Sequence, residues 1–200
     1  FFVDGPIVTR PKVYLTDKES RNAERILREA GVEGEFVVIH PGSGGSAERW
    51  PMERFIELYR YLEKDGVQVV VTGSETEGEH IQAMASKEGV AMKSITGETD
   101  LRTLGAVLSK ASTVVANSTG PLHLAVAAGT SVVGLYPSRR IMSPKRWGPV
   151  GEGHQVIQPT GAKCECPPKQ CTCMDQITVR QVANAVRKVY DSARNTRTKN

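Results

Sequence analysis

Aromatic side chains are scarce in this 200-residue chain, which holds two tryptophans, four phenylalanines and five tyrosines. None is interleaved with basic residues as a surface that stacks unpaired bases requires, so nucleic acid is not an expected partner. No apolar run approaches the roughly 20 residues of a membrane span. The chain opens Phe1-Phe2-Val3, without an initiator methionine or a basic, apolar and small-residue leader, and is expected to begin in mid-protein. No Asp-x-Asp and no His/Asp cluster at ligand spacing is present, so no metal or other cofactor is expected. Cysteine is confined to Cys164, Cys166, Cys171 and Cys173. Two C-x-C pairs are less typical of a structural zinc than C-x-x-C knuckles, and disulfides or unpaired thiols remain open beside it. The cysteines therefore do not disclose a redox compartment.

The pattern that is present is strict alternation. Helical periodicity falls at 17–30, 51–64, 77–87, 101–110, 121–128 and 178–193. Segments rich in apolar and β-branched residues at 36–39, 67–72, 113–116, 131–136 and 155–158, with 91–95 between two helical patterns, read as strands. Apolar strands alternating with helices imply an α/β fold, a Rossmann-like doubly wound parallel sheet covered on both faces. Two hundred residues suffice for one such core and are short for two. Residues 17–200 are thus read as one domain, and 1–16, with Pro6 and Pro11, as a linker or the end of a preceding domain.

Two loops carry the chemistry. Asn117-Ser118-Thr119-Gly120-Pro121-Leu122-His123 follows a strand and opens a helix. The first amide N–H groups of a helix lack intrahelical partners, and its dipole favours negative charge there. Phosphate is the commonest tenant of such a turn. Gly120 admits a close backbone approach, Ser118 and Thr119 offer hydroxyls, and His123 lies one turn in. The plainer account is a Ser or Thr cap with a packed histidine. His40-Pro41-Gly42-Ser43-Gly44-Gly45-Ser46 repeats the design after an earlier strand, with Ser43 and Gly44 as candidate oxyanion donors. Two such loops suggest strand ends facing one crevice. Arg49 beside Trp50 is the candidate cation for a leaving diphosphate, unless it is a solvated surface residue. Glu77, four residues after Gly73, can accept from ribose hydroxyls or simply favour a helix N-terminus, and Thr99 closes a turn that could meet a base edge.

With Arg49-Trp50-Pro51, Phe55, Ala127-Ala128-Gly129-Thr130 and Arg146-Trp147-Gly148-Pro149, these loops make the chain resemble glycosyltransferase family 9, known for the lipopolysaccharide heptosyltransferases. The motifs occur in the expected order from about Val13 to the final helix. The resemblance implies the C-terminal, donor-binding half of a two-domain glycosyltransferase of the B type. It implies a nucleotide-sugar donor, with an ADP-sugar such as ADP-heptose first because the family lays adenine against the Thr96-Gly97-Glu98-Thr99 turn. It further implies a lipopolysaccharide or related glycolipid or oligosaccharide acceptor, a cytoplasmic setting, and an N-terminal domain that carries the catalytic base. Two positions depart from the family. Glu48 stands where a lysine usually precedes Trp-Pro, and Ser118 where an aspartate usually precedes Thr-Gly.

Other readings stay open at this point. A nucleotide-sugar epimerase of similar architecture would need flanking acid and base carboxylates that the sequence does not place. A noncatalytic nucleotide-sugar-binding module is compatible with Glu48 and Ser118. The net charge of +4 is modest, with basic residues at Arg139-Arg140, Lys145-Arg146 and through 187–199. Such a tail would favour the inner face of the cytoplasmic membrane, although a frayed, solvated terminus is the simpler account.

Overall fold

A computed structural model describes residues 11–45, 48–160, 164 and 172–197, apart from the side chains of 193–197. Five parallel strands form one sheet: β1 (Val37–His40), β2 (Val69–Val71), β3 (Thr113–Asn117), β4 (Val132–Leu135) and β5 (Gln155–Ile157). The helices are α1 (Asp17–Glu29), α2 (Met52–Lys64), α3 (Glu75–Lys87), α4 (Leu101–Lys110), α5 (Gly120–Ala127), α6 (Pro144–Trp147) and α7 (Val179–Arg197).

Because strand side chains alternate between faces, each strand feeds two cores. Val37, Ile39, Val69, Val71, Val115 and Val133 pack beneath α2, α3 and α7, around Phe55, Leu58, Ile81 and Val182. Val38, Val70, Val114, Ala116 and Val132 pack beneath α1, α4 and α5, around Ile26, Leu108 and Leu122. Each fully buried side chain of this size contributes about 1.5–3 kcal/mol over exposure. Burial on both faces explains why the strands read as unbroken apolar runs.

The strand order is β2-β1-β3-β4-β5. The direction of winding therefore reverses between β1 and β3, and a crevice opens there beyond their C-terminal ends.

One expected strand does not form. At 91–95 the chain makes a single parallel bridge, Val71 to Ser94, with Val71 N–H donating to Lys93 O and Ile95 N–H to Val71 O. The next rung fails because the Lys93 N–H donates to the Tyr59 hydroxyl at 2.9 Å. The third helix starts at Glu75, two residues before its expected position, because Ser74 and Glu77 close a reciprocal capping box. Pro51 precedes α2 as its N-cap and is not its first residue. Helix α6 and the 3-10 turns at Arg140–Met142 and Cys173–Gln176 went unread, being too short to show periodicity.

Candidate functional site

Asn117 organises the crevice. It is fully buried at the end of β3; its Nδ2 donates to Pro41 O at 2.9 Å, and its Oδ1 accepts from Trp50 N–H at 3.0 Å. A single amide thereby fixes both ends of the β1–α2 loop. Trp50 is held in turn by Nε1 donating to Ile177 O at 2.9 Å and by an edge contact with Phe55, ring centroids 4.9 Å apart.

The β3–α5 loop keeps its donors available. Thr119 occupies the N-cap position of α5 without a side-chain cap; its hydroxyl donates to Asn117 O at 3.2 Å. Among the described residues, the N–H groups of Thr119 and Gly120 reach no acceptor. Gly120 has open space where a Cβ would stand. The plain capping account therefore does not describe this turn. Behind the turn, the Tyr136 hydroxyl donates to Trp147 O at 2.8 Å. Burial raises the Tyr136 pKa to about 12, so the phenol stays neutral.

Two clefts meet at Thr119 and Gly120. One, of about 360 Å³, is lined by His40, Gly42, Ser43, Gly44, Ser74 and Glu77 together with Thr119–Pro121. A Cβ at Gly42 would run into the Glu77 carboxylate and displace it, so glycine lets that carboxylate lie against the β1–α2 loop. Burial raises the Glu77 pKa, but hydrogen bonds from Ser74 and Gly44, with the charge of His40, outweigh it and hold the group below its ordinary value. Oε2 of Glu77 accepts from Ser74 N–H at 2.9 Å and Ser74 Oγ at 3.0 Å, so the carboxylate both caps α3 and faces the cleft. His40 is buried with Nδ1 2.9 Å from Thr72 Oγ1, and its burial lowers its pKa to about 4 against the opposite pull of Glu77.

The second cleft, of about 580 Å³, is lined by Ser118, Thr119, Gly120 and His123 on one side and by Pro137, Ile141, Met142, Arg146 and Trp147 on the other. His123 is half-buried, and burial lowers its pKa; at neutral pH the ring offers one donor and one acceptor. Its imidazole has no hydrogen-bond partner among the described residues. Trp147 Nε1 donates to Ile141 O at 3.1 Å, and the Arg146 guanidinium lies over the indole, 5.4 Å from its centroid.

The structure thus brings Ser43, Gly44, Glu77, Ser118, Thr119, Gly120 and His123 to one continuous crevice. Arg49 and Thr99 are not brought there. Arg49 is exposed and lines neither cleft, while Glu48 points inward to an ion pair with Arg139. Thr99 is half-buried before α4, and the turn ahead of it packs Gly97 against Glu75. Sequence reading missed Arg139 and the Asn117 brace, since both act through partners far along the chain. Of the cysteines, Cys173 is buried and Cys164 packs against the same core, while Cys166 and Cys171 lie outside the described residues. No group of three metal-ligating side chains occurs among the described residues.

The family model of glycosyltransferase family 9 (heptosyltransferase) matches residues 4–175. Lipopolysaccharide heptosyltransferase 2 of Escherichia coli is 31% identical over 153 residues, 74% of this chain and 40% of that protein. Among solved structures, a family 9 glycosyl transferase from Veillonella parvula superposes with a TM-score of 0.78 at 19% identity, over 94% of this chain and 56% of that one. An E. coli ADP-heptose lipopolysaccharide heptosyltransferase II gives 0.72 at 21% identity over the same shares. The chain spans about half the length of these relatives.

Proposed function

The chain belongs to glycosyltransferase family 9, and from that premise we propose that it is the C-terminal, donor-binding half of a sugar transferase. The donor is an ADP-sugar such as ADP-heptose, and the acceptor a lipopolysaccharide or related glycolipid. The observation that carries this reading is the pair of clefts meeting at the unanswered N–H groups of Thr119 and Gly120. A diphosphate at that junction would leave one cleft for the nucleoside and one for the sugar.

In this reading Glu77 accepts from the ribose hydroxyls and Ser43 and Gly44 close on the phosphates, while the turn ending at Thr99, outside both clefts, would meet adenine only where the base extends past Glu77. Ser118 and His123 stand at the sugar end. Transfer breaks the anomeric C–O bond and leaves charge on ADP, while the acceptor hydroxyl forms the new glycosidic bond. Its proton passes to a carboxylate of the N-terminal half. The growing charge is met by the α5 N-terminus, by the neutral His123 ring as a donor, and by arginine. We assign that arginine to the cleft side of the molecule and not to Arg49, which is exposed. No described helix is long and apolar enough to cross a membrane. We assign the reaction to the cytoplasmic face of the inner membrane, where a water-facing cleft meets a glycolipid headgroup.

Calorimetric titration with ADP, with and without a chelator, tests the reading. Weak binding is expected in both, because backbone amides and side chains supply the stabilisation. An absolute magnesium requirement would contradict it.

A further inference from the structure

Glu48 and Arg139 form an ion pair, Oε1 to Nη1 at 3.1 Å, with side chains only 15% and 14% exposed. Glu48 lies in the loop after β1 and Arg139 in the loop after β4. Strand β3 runs between those two strands, so the loops stand two strand spacings apart, roughly 10 Å. The pair therefore bridges across the C-terminal end of β3, where Ser118, Thr119 and Gly120 lead into α5. Arg139 is itself in the lining of neither cleft; it sits just behind the larger one, between Pro137 and Ile141, both of which line it.

A guanidinium carries five N–H donors. Among the described residues Arg139 spends one of its own on Glu48 and has no other hydrogen-bond partner. Its other donors are not sealed in. The fully buried side-chain polar atoms without a partner, among the described residues, are Ser112 Oγ and Thr113 Oγ1. A largely buried arginine with donors open, flanked in sequence by two residues of the cleft wall, is prepared for a second anion, since planar forks bind carboxylate and phosphate alike.

We propose that Arg139 is a diphosphate-binding cation of this cleft and Glu48 its positioning residue. The Glu48 carboxylate holds the guanidinium near the end of β3 while the cleft is empty and shares it when the diphosphate arrives. The inference rests on the nucleotide-sugar reading above. Glu48 and the diphosphate then compete for one cation, and removing the competitor's charge tightens binding.

The test is titration of the wild-type chain, Glu48→Gln, Arg139→Ala and Arg139→Lys with ADP, and with adenosine as a probe that lacks phosphate. Glu48→Gln is expected to bind ADP severalfold to about tenfold more tightly, with adenosine unchanged. Arg139→Ala is expected to lose about tenfold for ADP alone, and Arg139→Lys to recover part of it. A gain in affinity cannot arise from misfolding, so the glutamine variant stays decisive if the alanine variant is unstable. Wild-type ADP binding that Glu48→Gln weakens or leaves unchanged overturns this inference and spares the wider reading. A wild-type chain that binds no nucleoside diphosphate overturns both.

Discussion

Gly120 isolates the anion site at the scale of one residue. Its φ lies outside the left-handed region and an added Cβ meets nothing within 4 Å, so the fold tolerates a side chain there. The space such a side chain fills is the junction of the two clefts. Gly120→Val is expected to keep its circular dichroism and melting temperature while losing about tenfold or more in ADP affinity. Unaltered affinity in the folded variant would sink the claim that this turn holds phosphate. The turn was legible in the sequence because strand end, glycine and helix start are contiguous. Charge placement was not. Residues 48–50 run half-buried, exposed and buried in turn, so Glu48 and Trp50 share the inward side and Arg49 faces solvent. The charge at Arg49 is legible in the sequence but its outward direction is not, and the partner of its inward neighbour Glu48, Arg139, lies 91 positions away.

At the scale of elements, α3 and the turn after the failed strand fit together through a missing side chain. An added Cβ at Gly78 would run into Thr96 Oγ1 and stand 2.5 Å from Thr96 Cβ, a branched side chain with little room to give. Gly78→Ala gains about 1 kcal/mol of helix propensity. Overpacking costs typically 1–3 kcal/mol, so a net loss and a melting temperature lower by several degrees are expected. Thr96→Ala in the same chain should recover most of it, and a loss that persists there would place the strain elsewhere. All six helices expected from the sequence pattern form, α6 is added among the described residues, and five of the six expected strands form. The pattern failed at 91–95, where Lys93 and Ser94 interrupt the apolar residues and only Met92 and Ile95 are buried; a ladder also needs its N–H groups unclaimed, and Tyr59 had taken that of Lys93.

At the scale of the whole molecule, alternation made the two-sided core legible, but the order β2-β1-β3-β4-β5 was not, since crossovers fix handedness and leave neighbours open. That order puts His40, at the end of β1, on an interior strand and beside the crevice. Burial lowers its pKa from 6.5 to about 4. The unfolded chain therefore takes up a proton between about pH 6.5 and 4 that the folded chain refuses, and stability falls as pH falls through that window. The full loss is on the order of 3 kcal/mol below both values. Glu77 acts at lower pH: its pKa is held below the ordinary carboxylate value, so its contribution is present above that value and fades only as pH drops through the depressed one. Denaturant unfolding at pH 7 and pH 4.5 separates the two. Wild type should lose most of the His40 contribution over that interval, whereas His40→Gln, which keeps a partner for Thr72 and has no proton to gain, should start less stable and decline little. An equal decline in both proteins would move the acid sensitivity of this sheet away from His40.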